Sequence, residues 1–500
     1  MVKDLIFKTP EEEGLPSTSI LDLIGVFEDY KMNLHSFMVV KNGNILAEGY
    51  VKPFDKDFQH RLYSASKTFV SMAIGKLIGE GKIRLTDKLA QLMPDLVETE
   101  IDEWLKNTTI EDALKMSVPM LTDTYFSRST PQWAWTFFNN QKSLKPSGTI
   151  FNYNTSGTFI LDVLIEKITG KTFLEYLRPE FDKIGISKDI WCVQSPDGYA
   201  WGGSGVMCTM RDFAKFAELI MNGGNYLGEQ LLPKNFVEQA TKKQICNLVE
   251  NNYSLRKEGY GYQIWIHKEG FMLYGMGSQL AICFPDKQLM FVCNGDTQCN
   301  EDSSTDTILF QVREKLYKNT SNTPLPKNCV AYNELKNKLD NLDFNSGFGE
   351  ISSPMEEKIN GATYLLKENP MGINWFRFDF TPCTQGKRGV LTYQNPRGVK
   401  KIVFGMEHMV KGTFPETHYY DVKVDTPSNR ELNCLCSASW VQQDKILLRV
   451  FITDTCFGSC FMTFGFKGDE VGVFFSKRAE FFMDNNEYQG YAGGVLKKED

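Results

Sequence analysis

Two hairpin patterns stand at opposite ends of the first ~315 residues, and this arrangement constrains the fold more than any other feature. Ser36–Tyr50 reads as two short strands around Asn42-Gly43, a pair suited to a tight two-residue turn. Gln279–Asn294 repeats the pattern around Pro285-Asp286, and a helical stretch follows at about Thr305–Tyr317. The chain between the hairpins is mostly helical. Phe69, Ala73 and Leu77 recur at i, i+4, as do Val70, Ile74 and Ile78, before a stop at Gly81. Ile160, Leu161, Leu164, Ile165 and Ile168 form a second apolar stripe that ends at Gly170. Phe213, Phe216, Ala217 and Ile220 form a third, with Thr209 as N-cap and Gly223-Gly224 at its end. Strands from both ends therefore predict one sheet with a helical subdomain inserted between its strands, an α/β (α+β) architecture.

Composition changes after Lys318. Asn319–Lys327 is polar and carries two prolines, so a domain of residues 1–318, a linker of 319–330 and a second domain of 331–500 are expected. The second domain contains short strand-like runs, Trp375–Phe380 and Ile446–Ile452 among them, separated by turns at Asn395-Pro396 and Lys467–Asp469. It reads as an antiparallel all-β unit, a sandwich or a lipocalin-like barrel. At 500 residues, two to four domains are the natural expectation.

The charge balance, 55 basic against 62 acidic residues, leaves a net of −7 and disfavours a nucleic-acid partner. No apolar run is long enough to span a bilayer, and the first residues lack a signal-peptide core, so a cytoplasmic chain with no membrane partner is expected. The 12 cysteines are absent before Cys192 and read as reduced thiols. Their close pairs, Cys434/Cys436 and Cys456/Cys460, have no histidine at metal-site spacing, so no metal and no cofactor are expected.

The segment that carries chemistry is Arg61-Leu-Tyr-Ser64-Ala-Ser-Lys67. Residues three apart on a helix share a face, so the Lys67 amine can reach the Ser64 hydroxyl. A serine hydroxyl is a weak nucleophile until a base removes its proton. A lysine acts as that base only when neutral, and moving its pKa from ~10.4 to ~7 takes roughly 4–5 kcal/mol of desolvation and nearby positive charge. The same spacing in Ser254-Leu-Arg-Lys257 runs into Glu258-Gly259-Tyr260-Gly261, which cannot continue a helix. Rival features read more plainly. His35, His60, His267, His408 and His418 have no Gly-x-Ser-x-Gly elbow to serve, since Gly202–Val206 fails at its last position. His267 is the one nearest a candidate site strand. Gly170-Lys171-Thr172 lacks the first glycine of a phosphate loop, Ile165 standing there. Trp133, Trp135, Phe137 and Phe138 suit an acyl pocket or a packed core equally.

Several motifs in order carry a family resemblance. Ser64-Ala-Ser-Lys67 and the following Leu77–Asp87 match fully, Tyr153-Asn154-Thr155 looks like a Tyr-x-Asn motif, and Trp201–Asp212 resembles a glycine-rich approach to a later helix. Over about residues 10–315 the chain resembles the serine β-lactamase-like hydrolases: class C β-lactamases, DD-peptidases, related esterases and nylon-oligomer hydrolases. The resemblance implies a β-lactamase/transpeptidase-like fold and a serine hydrolase working through an acyl-enzyme. Ser64 would be the nucleophile, Lys67 and Tyr153 the acid–base groups, and Thr155, Gly275 and Met276 substrate-binding residues. Either Lys67 or Tyr153 could be the resting base. Thr155 replaces the usual Asn, and the third motif falls at Leu273-Tyr274-Gly275 with no cation in its first place. In penicillin-recognising members that cation meets the substrate carboxylate. Its loss shifts expectation from β-lactams toward a small ester, amide or peptide-like substrate. A non-catalytic binding protein on the same scaffold, or a peptidase or β-lactamase, is the alternative. Oligomeric state is not legible.

Overall fold

In the computed structural model the two hairpins join through their inner strands. Residues 5–498 are described, apart from 99, 124–131, 140–141, 249–257, 301–303, 345–346, 385, 418–429 and 480–486. Leu34–Lys41 pairs antiparallel with Leu289–Gly295, placing Val39 opposite Phe291. The resulting eight-stranded sheet runs Ile6–Phe7, Asn44–Tyr50, Leu34–Lys41, Leu289–Gly295, Gln279–Phe284, Gly270–Gly275, Trp265–His267, Gly259–Tyr260. Leu34–Lys41 is buried along its entire length because both faces are covered. Met38 and Val40 pack on the helical insertion, whereas Phe37 and Val39 pack on the helices that precede and follow the sheet. A strand covered on both faces has no reason to alternate, and Phe37–Val40 within it is an uninterrupted apolar run. Asn42 and Gly43 both adopt left-handed backbone (φ 50° and 73°), as a two-residue hairpin turn requires.

Three helices of the insertion follow the sequence signals closely. Ser66–Gly79 stacks Phe69 on Phe216 of Met210–Met221, with ring centroids 3.7 Å apart. Thr209 caps the latter helix through Asp212 N–H. Thr155–Thr169 is capped by Asn154 and stops at left-handed Gly170. Trp133, Phe137 and Phe138 are buried in this core, so packing accounts for them, while Trp135 is half-buried.

The expected boundary at Lys318 needs correction. Ser321 N–H donates to Gly14 O and Leu325 N–H to Glu11 O, both at 2.8 Å, so residues 319–330 lie against the first unit. The next helix, Cys329–Asp340, seats Leu335 in the core beneath the sheet, joined there by Leu342 and Phe344. Phe344 meets Phe27 edge-on at 6.2 Å. A polar, proline-bearing composition marks irregular backbone; it does not mark a lack of tertiary contacts.

The second unit has its own core from Ile359 onward. Strands from Thr363–Leu366 to Gly490–Leu496 follow one another as a meander and close where Tyr364 pairs with Leu496. The closed barrel has nine strands, its one parallel contact joining Gly405 to Ser437. Val410–Phe414 lies alongside as an extra strand. Of the two all-β forms expected, the barrel is the one present. Phe376, Phe378, Phe464 and Trp440 fill its interior. Among the described residues no helix is long and apolar enough to cross a membrane.

Candidate active site

Ser64 stands on a single 3-10 turn, Tyr63–Ala65, that runs into the helix Ser66–Gly79. Tyr63 and Ala65 are buried while Ser64 is half-buried. Lys67 lies one turn on and is only 1% exposed. Its Nζ is 3.0 Å from Ser64 Oγ and 2.6 Å from the carbonyl oxygen of Gly203. The i, i+3 spacing thus delivers the contact that the sequence implied.

Tyr153 joins this pair from the loop before Thr155–Thr169, its ring centroid 5.0 Å from Lys67 Nζ. The hydroxyl is buried beside the Ser64 side chain. Burial pushes its pKa well above the ordinary tyrosine range, with the neighbouring Ser64 side chain pulling the other way. Trp265 stacks on the Tyr153 ring at 5.5 Å, Tyr260 meets both edge-on, and Phe151 and Tyr274 extend the aromatic wall. Thr155 is buried in the first helical turn, its methyl pressed against Gly203, where a Cβ would come within 2.5 Å of it. It therefore meets the site through the residue that receives Lys67.

Gly275 ends the strand Gly270–Gly275 beside the nucleophile segment. A side chain there would place its Cβ 1.9 Å from Leu62 O, a distance only glycine avoids. Met276, half-buried, opens the turn to Gln279–Phe284. Gln279 pins that turn by donating to Met276 O and Gly295 O (3.2 and 2.6 Å) while Asn294 donates to its Oε1 at 3.0 Å.

Sequence reasoning missed the groups that hold the Gly202–Ser204 loop. Asp162 is fully buried and accepts from Gly202 N–H at 2.9 Å, and its burial raises its pKa well above the carboxylate range. An ionisable residue amid Ile160, Leu161, Val163 and Leu164 was a readable signal. From the other side Arg61, also fully buried, donates to Ser204 O and Oγ at 3.0 Å each. The histidines lie elsewhere. His35 and His60 form a buried ring–ring contact of 2.9 Å, His60 driven down to about 3 by burial. His267 is buried with Glu269 at 3.7 Å, its pKa lowered to about 4 mainly by burial. Thr172 closes a capping box with Glu175, a structural use for the Gly170–Thr172 sequence. Ser254–Lys257 and His418 fall outside the described residues.

A sequence model described as Beta-lactamase matches residues 26–304, more than half of the chain. The chain belongs to the beta-lactamase family. The match takes in Ser64, Lys67, Tyr153 and Met276 and stops short of the barrel. Among curated beta-lactamase-like relatives, the 6-aminohexanoate-dimer hydrolase of Paenarthrobacter ureafaciens is 23% identical over 223 residues. That alignment covers 41% of this chain and 56% of the relative, so the chain spans little more than half of that protein's length. Among solved structures, the octameric penicillin-binding protein homologue from Pyrococcus abyssi aligns over 96% of this chain and 98% of its own, at 15% identity and a TM-score of 0.47. The D-amino acid amidase from Ochrobactrum anthropi SV3 aligns over 59% and 98%, at 16% identity and a TM-score of 0.45.

Proposed function

We propose that this chain is a serine hydrolase that forms an acyl-enzyme at Ser64 with a small, neutral ester or amide. The observation that carries the reading is the buried Lys67 amine 3.0 Å from the hydroxyl of half-buried Ser64, with Tyr153 alongside. In its neutral form Lys67 keeps an N–H on Gly203 O and turns its lone pair toward the Ser64 hydroxyl. Ser64 Oγ attacks the carbonyl carbon, and its proton passes to Lys67 and from there, by way of Tyr153, to the leaving alcohol or amine. Tyr153 suits the donating role because burial keeps its hydroxyl protonated. The backbone N–H groups of Ser64 and Met276 hold the oxyanion, and water then releases the acyl group.

Leu273-Tyr274 offers no cation for a substrate carboxylate, and the wall beside Tyr153 is aromatic. Both favour an uncharged ester or amide over a β-lactam. The name of the Paenarthrobacter relative, a hydrolase of an amide-linked dimer, agrees with an amide.

A fluorophosphonate should add its mass to the peptide carrying Ser64, and Ser64→Ala should abolish that adduct. Lys67→Ala and Tyr153→Phe should each lower kcat about 10²–10⁴-fold with a wild-type melting transition. p-Nitrophenyl butyrate should exceed nitrocefin in kcat/KM. An adduct that survives Ser64→Ala removes the nucleophile assignment. Nitrocefin turnover above the ester rate removes the substrate class, and a folded wild-type protein inert to every probe supports a binding role.

A further inference from the structure

The barrel reaches the nucleophile segment at one turn, between the strands Lys445–Thr453 and Phe457–Lys467. Phe457 N–H donates to the Tyr63 hydroxyl at 2.8 Å, and Arg61 Nη1 donates to Thr455 O at 3.3 Å. Tyr63 is the residue immediately before Ser64, and its backbone is left-handed (φ 47°). A non-glycine residue adopts that conformation only where its surroundings hold it there. Its ring is gripped on one side by the Arg61 guanidinium, 4.4 Å from the ring centroid. It also meets the Phe457 ring at 6.2 Å. The same Phe457 ring stacks on His60 at 5.5 Å and meets His35 edge-on at 5.6 Å. The turn is itself braced, since Arg430 binds Asp454 through both terminal nitrogens and Asp454 accepts from Thr455 N–H at 2.8 Å. None of these barrel residues lies in the segment that matches the family.

We infer that Tyr63 is a positioning residue for Ser64 and that the barrel turn Asp454–Phe457 holds it, so that acylation in the first unit depends on the barrel. This rests on the assignment of Ser64 as nucleophile. The mechanism is geometric. With the Tyr63 hydroxyl anchored, the backbone entering the 3-10 turn is fixed, and with it the direction of Ser64 Oγ toward Lys67. Released, Tyr63 relaxes toward ordinary backbone angles and the hydroxyl swings out of line, a displacement of the kind that costs on the order of tenfold to a hundredfold in rate.

The test uses the full chain. Tyr63→Phe keeps the ring and removes the hydroxyl; Phe457→Ala keeps the N–H and removes the second ring. Acylation of Ser64 by a fluorophosphonate is followed by intact mass, with kcat and KM for p-nitrophenyl butyrate and the melting temperature measured alongside. Tyr63→Phe should slow acylation and kcat about tenfold or more while KM stays within about twofold. Phe457→Ala should do the same. Tyr491→Ala, on the outer barrel face and 72% exposed, should leave all three unchanged. A lower melting temperature with unchanged acylation in both variants would make the contact a plain domain interface and overturn the inference. Should one variant fail to fold, the other decides by the same comparison. Wild-type protein that takes up no label at Ser64 overturns the nucleophile assignment instead, a result separate from any effect of the variants.

Discussion

Asp296 shows what burial does to a single carboxyl near this site. It follows the strand Leu289–Gly295, is 1% exposed, and has one oxygen bonded to Gln298 at 2.8 Å while the other makes no bond. Desolvation, only partly offset by Gln298, raises its pKa from 3.8 to about 6. The folded state therefore holds this proton more tightly than the unfolded chain does. The sign follows: stability from this group is complete below about pH 4, falls as pH rises toward 6, and is flat above. Asp296→Asn keeps an acceptor for Gln298 without the charge. It should match wild type near pH 4 and exceed it by about 1–3 kcal/mol at pH 7, read by urea unfolding across that range. Equal pH slopes in the two proteins would show that Asp296 does not titrate as its burial implies.

At the scale of elements, the site depends on a strand end meeting a 3-10 turn. Gly275 permits that approach, and its pairing with Gln279 keeps the hairpin in register. Gly275→Ala forces a Cβ against Leu62 O, so either the strand end or the nucleophile turn must shift. Ser64 labelling should slow about 10²-fold or more, with a loss of about 1–3 kcal/mol in stability, because overpacking is resolved by backbone movement. Labelling at the wild-type rate would mean that the hairpin is not part of the site. The Gly202–Ser204 loop is built on the same plan from the opposite side, held by Asp162 on one helix and by Arg61 on a two-residue strand.

For the whole molecule, the consequential finding is where the first unit ends. Leu335 is fully buried in one core with Leu23, Phe27 and Phe37, which makes the helix Cys329–Asp340 part of the first unit's core. Leu335→Ala should cost about 2–5 kcal/mol. Hydrogen exchange should show the loss in the Leu34–Lys41 strand and the Ser17–Asp29 helix, with the barrel strands Lys445–Thr453 and Phe457–Lys467 retaining their protection. Loss of protection confined to the barrel would return the boundary to Lys318.

The sequence by itself determined the local pieces: both hairpins, three helices, the Thr209 and Gly170 caps, and the Ser64/Lys67 contact. Each follows from periodicity or turn chemistry acting over a few residues. Motif order pointed to Tyr153 and Gly275 as candidates, although spacing alone says nothing about their lying near Ser64. Only the tertiary structure decided that a polar, proline-bearing stretch packs along the first unit, that the all-β unit closes into a barrel, and that Asp162 and Arg61 hold the loop receiving Lys67. Those outcomes depend on pairings between residues far apart in the chain, such as Tyr364 with Leu496 and Leu325 with Glu11. Local composition cannot encode which distant backbone groups will satisfy one another, because a buried donor is content with any acceptor that folding brings within reach.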